Sequence, residues 1–215
     1  MIPAVIYTDP ADLDRRLHAL GGLDLALLRE ALFRGQLARD MCTAHHPVTM
    51  GGILAWGETN AALRELTAIR GWGRSDTMNI CRAVSPDGAF AVTAIGGDEN
   101  TGNPFRSPTT RRPRGAAGIQ IVEWNQQLSL FGEPEDSNAR KEKRQESQTW
   151  YLLYYRTGSK VFAELSLPII VSDDGVIRHW RERLILPVLD LSEGPILGNE
   201  DFGPSIVVDV RRRVS

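Results

Sequence analysis

Apolar positions along this chain follow two periods, and the change from one to the other organises it. In the first seventy residues they recur at helical spacing. Leu13, Leu17 and Leu20 follow Asp9-Pro10, an N-cap and a proline that a first helical turn accepts, and Gly21-Gly22 stops the run. Between Asp24 and Asp40, Leu25, Leu28 and Leu32 share a face while Arg29, Arg34 and Arg39 fall largely elsewhere, which predicts a second, amphipathic helix. Leu63, Leu66 and Ile69 predict a third from about Glu58 to Ile69, ended by Gly71. Past Gly73 the pattern changes: Met78, Ile80 and Arg82-Ala83-Val84 lead into Pro86-Asp87-Gly88, after which Phe90, Val92 and Ile95 resume, a β-hairpin signature.

From Gly96 to Gly118 the chain holds five glycines and three prolines, so a long loop is expected there. Trp150 to Tyr155, Val161 to Val171 and Val176 to Leu186 read as three strands of an antiparallel meander, separated by Thr157-Gly158-Ser159 and Ser172-Asp173-Asp174-Gly175. Ile206 to Val210 fits a last strand after a loop from Gly194 to Pro204. Glu133 to Gln148 is almost wholly charged or polar and offers too little burial to offset the entropy of ordering it. The fold class expected is α+β, with N-terminal helices packed on an antiparallel sheet and a C-terminal β-meander. Residues 1–125 would form an α+β region, 126–148 a motif-bearing flexible linker, and 149–215 the meander, either separate or part of the same domain.

With 215 residues, 42% of them apolar, the chain can bury a core without staples. Cys42 and Cys81 make no disulfide framework and suit a reducing compartment. The start, Met1 to Tyr7, has no basic lead, and no apolar run reaches membrane-spanning length, so a cytoplasmic protein without membrane contact is expected. A net charge of −2 gives no reason for tight, unspecific nucleic-acid binding. Charge is nonetheless concentrated locally, because Arg106, Arg111, Arg112 and Arg114 fall within nine residues. Thr109 to Gly115 combines hydroxyls, guanidiniums and a glycine, a mixture suited to phosphate; a plain solvated loop is the expectation there, with weak contact to the DNA backbone through Arg106, Arg111, Arg112 and Arg114 as the alternative. Arg140 to Arg144 and Arg211-Arg212-Arg213 read as solvated surface.

Candidate chemistry is sparse. Asp40, Cys42, His45 and His46 crowd into seven residues, but a closed zinc site needs a second pair of ligands and none follows, so no metal is expected. Asp98 and Glu99, with Glu123 and Glu164, could serve a metal-dependent nuclease; no Glu-x-Lys pattern completes that set, and capping and turn-forming carboxylates are the better reading. Neither a Walker loop nor Gly-x-Gly-x-x-Gly occurs, and no cofactor or catalytic site is expected.

The sharpest mark is Gln127-Leu128-Ser129-Leu130-Phe131, followed at once by Gly132 and the polar tract. It resembles the short motif by which bacterial polymerases, mismatch-repair and initiation-control proteins bind the DNA sliding clamp. That resemblance covers five residues and implies a partner, not a fold. In such a peptide Leu130 and Phe131 would fill preformed pockets, Leu128 would add apolar contact, Gln127 would fix register as donor and acceptor, and Ser129 would be a small spacer. A second reading makes Leu128 and Leu130 the inner face of a packed strand, since they stand two apart. The function expected is a non-enzymatic accessory or regulatory protein, of a bacterium, phage or plasmid, that docks on the clamp. The alternatives are a metal-dependent DNA-processing enzyme delivered by the clamp, or a self-contained inhibitor or interaction protein of a mobile element.

Overall fold

Helix starts are set by the caps that the sequence supplies. The computed structural model describes residues 3–131 and 147–193, with side chains for all of them except 129–131 and 193. Helix α1, Pro10–Ala19, is opened by the Asp9 carboxylate, which accepts from the Ala11 and Asp12 N–H groups at 3.0 and 3.2 Å. Helix α2, Leu25–Asp40, is opened by Asp24, which accepts from Leu27 N–H at 2.7 Å and also receives Arg70. Partial burial pushes the Asp24 carboxyl up, but the Leu27 bond and Arg70 outweigh it and leave its pKa below the usual value. Helix α3, Met50–Ala68, begins well before Glu58. Gly51, Gly52 and Gly57 dilute the helical pattern there, yet Ala55 and Thr59 are buried, and tertiary packing sustains the turns that propensity alone would not. Where α2 and α3 meet, Gly35 has no side chain to spare: a Cβ there would stand 1.9 Å from Thr59 Oγ1 and 2.7 Å from the Ala55 carbonyl oxygen.

The strands are β1 Val5–Tyr7, β2 Gly73–Ser75, β3 Arg82–Val84, β4 Phe90–Gly96, β5 Gln148–Thr157, β6 Lys160–Val171, β7 Ile177–Ile185 and β8 Leu189–Asp190, with helix α4, Ala116–Phe131, between β4 and β5. They form one sheet in the order β1-β7-β6-β5-β4-β3-β2, with β8 also on β6. The fold is α+β, and the β3–β4 hairpin and the β5–β6–β7 meander are antiparallel. Two pairings are parallel, so the sheet is mixed: β4 with β5, in register from Phe90↔Gln148 to Gly96↔Tyr154, and β1 with β7. A parallel neighbour needs a crossover, and the connection from β4 to β5 carries α4. Residues 132–146 thus fall between two strands that are neighbours in one sheet. Both most of the expected linker and the expected strand Ile206 to Val210 lie outside the described residues.

Alternate residues of β5 serve different layers, as the pleat requires. Trp150, Leu152 and Tyr154 join a large buried cluster with Leu13, Leu17, Leu28 and Leu63, while Tyr151 and Leu153 join a smaller one with Ile121, Val122 and Trp180. A strand covered on both faces reads as a continuous apolar run, which is how Trp150 to Tyr155 appears. The pairing of β3 with β4 stops at Val92, and beyond it the α3 side chain of Asn60 takes over: its Nδ2 donates to the Ala94 carbonyl at 3.0 Å and its Oδ1 accepts from Ala94 N–H at 2.9 Å. Among the described residues, no helix is long and apolar enough to cross a membrane.

Candidate functional site

Helix α4 carries the pentapeptide, and its rotation is fixed by Asn125. Pro168 in β6 has no N–H, so the ladder between β5 and β6 ends at Tyr151↔Ser166. Asn125, fully buried, fills the gap: its Nδ2 donates to the carbonyls of Thr149 at 2.9 Å and Pro168 at 3.1 Å, and its Oδ1 accepts from Thr149 N–H at 2.9 Å. With Ile121 and Val122 also buried and Leu128 half-buried, the inward stripe has helical spacing.

Gln127 to Phe131 are therefore neither a strand nor part of a linker; they are the C-terminal end of α4. The two-residue spacing of Leu128 and Leu130 is overridden by the three- and four-residue spacing upstream, and the expected linker loses Gln126 to Phe131 to the helix and Gln148 to β5. Gln126 and Gln127 are exposed. The side-chain roles expected of Ser129, Leu130 and Phe131 fall outside the described residues.

The arginine-bearing segment is a pinned loop. Its ends are bridged at Gly97 and Thr110, Arg111 N–H donates to the Gly96 carbonyl at 3.0 Å, and Thr110 and Arg114 N–H groups donate to the carbonyls of Ile177 and Gly175 at 3.2 and 2.7 Å. Beneath it lies a buried ion pair between neighbouring strands, with Arg183 Nη2 2.6 Å from Glu164 Oε2. Arg183 also donates to the carbonyls of Arg106 and Asn103, each at 3.0 Å, and Glu164 accepts from Gly102 N–H at 2.9 Å and Ser166 Oγ at 2.7 Å. Arg106, Arg111 and Arg112 are exposed and Arg114 is half-buried; among the described residues none of the four forms an ion pair. Phe105, at the turn of this loop, is 93% exposed.

The carboxylates of the nuclease alternative do not converge. Asp98 accepts from Asn100 N–H, Asn100 Nδ2 and Thr109 Oγ1 and so shapes the loop, Glu99 and Glu123 are exposed, and Glu164 is neutralised by Arg183. Asp40 pairs with Arg156 at 2.7 Å, and His46 Nδ1 accepts from Thr43 N–H at 3.0 Å, which closes a turn after α2. Among the described residues, no three His, Cys, Asp or Glu side chains stand together as a metal-holding group. The Cys81 thiol is half-buried, and that burial pushes its pKa up, away from nucleophilic use. A hollow of about 210 Å³ between α1 and the end of β7 is lined by Thr8, Pro10, Leu13, Leu25 and Ile185, with Asp14 as a titratable group in its lining.

Several consequential residues escape a reading of the sequence. Arg82 is 1% exposed, reaches Thr149 Oγ1 and Ser75 Oγ at 3.3 Å each, and leaves its Nε without a partner; burial pulls its pKa down. Glu164 and Arg183 had a usable signal: each is a charged residue inside an apolar strand run, and such charges are stable when paired. Asn125 had none, because its partners, Thr149 and Pro168, lie 24 and 43 residues later. No protein-family model, no curated protein and no solved structure matches this chain.

Proposed function

We propose that this chain is an accessory or regulatory protein that docks on the bacterial DNA sliding clamp through Gln127 to Phe131, without chemistry of its own. The observation that carries the reading is the motif at the end of α4, with Gln127 exposed and the helix's buried anchor, Asn125, already behind it. To lay its side chains into pockets as an extended peptide, the end of α4 would have to uncoil. Helix termini are the least protected part of a helix, so that step costs little compared with burying a leucine and a phenylalanine, about 1.5 to 3 kcal/mol each. The structural employment of Asp98 and Glu164 favours this binding role over the nuclease alternative.

Calorimetric titration with a bacterial clamp tests it. The wild type is expected to bind with a dissociation constant on the order of micromolar. Gln127→Ala should weaken binding, and Leu130→Ala with Phe131→Ala should abolish it, each variant being checked by a melting curve. No binding at about 100 μM clamp, equivalent to roughly −5.5 kcal/mol, would overturn the proposal.

A further inference from the structure

We infer that the segment from Phe105 to Arg114 binds single-stranded nucleic acid, with the Phe105 ring stacking on one unpaired base and Arg106, Arg111, Arg112 and Arg114 meeting neighbouring phosphates. Three observations carry this. The first is the state of the charges. Elsewhere among the described residues eight arginines are held in ion pairs, and Arg29, Arg39, Arg74 and Arg82, which are not, lie scattered along the chain, whereas these four without a carboxylate partner fall within nine residues of one loop. Cations left unneutralised on one segment are suited to an outside polyanion.

The second is Phe105. A phenylalanine 93% exposed, next to an exposed arginine, contributes nothing to the core, and phosphate contact alone gives it no use. An unpaired base does, because every base offers a π-face and stacking is tolerant of sequence. A duplex keeps those faces covered. The third is the rigidity beneath the loop. Arg183, with its side chain 3% exposed, holds the carbonyls of Asn103 and Arg106 on either side of Phe105; Glu164 holds Gly102 N–H, and Ser107 Oγ donates to the Arg178 carbonyl at 2.8 Å. Phe105 N–H also donates to Asn103 Oδ1 at 2.9 Å. A ring presented in a fixed place loses less entropy when it is used. Because the whole chain carries a charge of −2, binding is local, modest and sensitive to salt.

Fluorescence anisotropy with a labelled fifteen-residue oligothymidylate, a duplex of equal length and polyglutamate tests this, with no clamp present, so that failure leaves the docking proposal untouched. The oligothymidylate should bind with a dissociation constant on the order of 10 μM at about 50 mM salt, and more tightly than the duplex. Phe105→Ala should weaken it about ten-fold or more with the melting temperature unchanged. Arg111→Ala with Arg112→Ala should lower the slope of log affinity against log salt by about 1.4, at about 0.7 for each phosphate. The inference is overturned by no binding at about 100 μM, by duplex affinity equal to that of the single strand, or by indifference to Phe105→Ala. Polyglutamate binding as tightly would also overturn it, pointing to an acidic protein surface instead.

Discussion

Replacing Arg183 by methionine isolates what the buried ion pair does. The pair is inaccessible, with side-chain exposures of 3% for Arg183 and 0% for Glu164, so solvent screening does not reduce its weight. Arg183→Met leaves the Glu164 carboxylate in the interior with only Gly102 N–H and Ser166 Oγ beside it. Breaking such a pair from one side costs about 3 to 5 kcal/mol, because the remaining charge stays desolvated. At about 2 to 4 °C for each kcal/mol in a chain of this size, the melting temperature should fall by about 6 to 20 °C. Adding Glu164→Gln removes the stranded charge and should return about 2 kcal/mol or more, the sign of coupling between the two positions. Urea denaturation followed by tryptophan fluorescence measures both. Neither variant restores the bonds to the Asn103 and Arg106 carbonyls, so tryptic cleavage after Arg106 should accelerate in the double variant despite its recovered stability. A loss under about 1 kcal/mol for Arg183→Met, or a double variant less stable than the single, would refute the reasoning.

Two further predictions concern packing and pH. Gly35→Ala should cost about 1 to 3 kcal/mol, since its Cβ would overlap Thr59 Oγ1, whereas Gly57→Ala, with nothing within 4 Å of its Cβ, should gain up to about 1 kcal/mol from helix propensity; equal melting temperatures for the two variants would contradict this. Burial pushes the Tyr151 and Tyr154 hydroxyls up to about 12. Unfolded tyrosine ionises near 10, so the unfolded chain releases protons first as pH rises; the contribution is complete below about pH 10 and is lost between about 10 and 12. Urea midpoints at pH 9, 10 and 11 should therefore fall, and a flat series would count against it.

What the sequence makes legible follows from how local each signal is. Helices α1 and α2 and the meander carry their own caps, turns and periods, so Asp9, Asp24, Gly158 and Gly175 mark their ends correctly. Helix α4 was obscured because Ile119, Ile121 and Val122 are β-branched and sit beside the glycine-rich loop, and what makes it a helix is Asn125 reaching strands far along the chain. Strand β1 is three residues long, too short for any period, and exists because β7 offers it an edge. For the candidate site, the arginines of the 106–114 segment and the pentapeptide could be found from their types and spacing. The fixity of the loop could not, because it rests on Glu164 and Arg183, which only the β6–β7 pairing brings together.

The parallel pairing of β1 with β7 also sets an order of assembly. Val5 to Tyr7 leave the ribosome before every other described strand, yet their partners, Glu182 to Leu184, are made 177 residues later (182 − 5). Leu13, Leu17 and Leu28 wait almost as long for the strands that cover them. During synthesis α2 and α3 can pair with each other through local contacts, but the N-terminal helices present an uncovered leucine layer until β5 to β7 arrive. The earliest described strand to be translated must wait for one of the latest, and the long interval between is when this chain has most need of a chaperone.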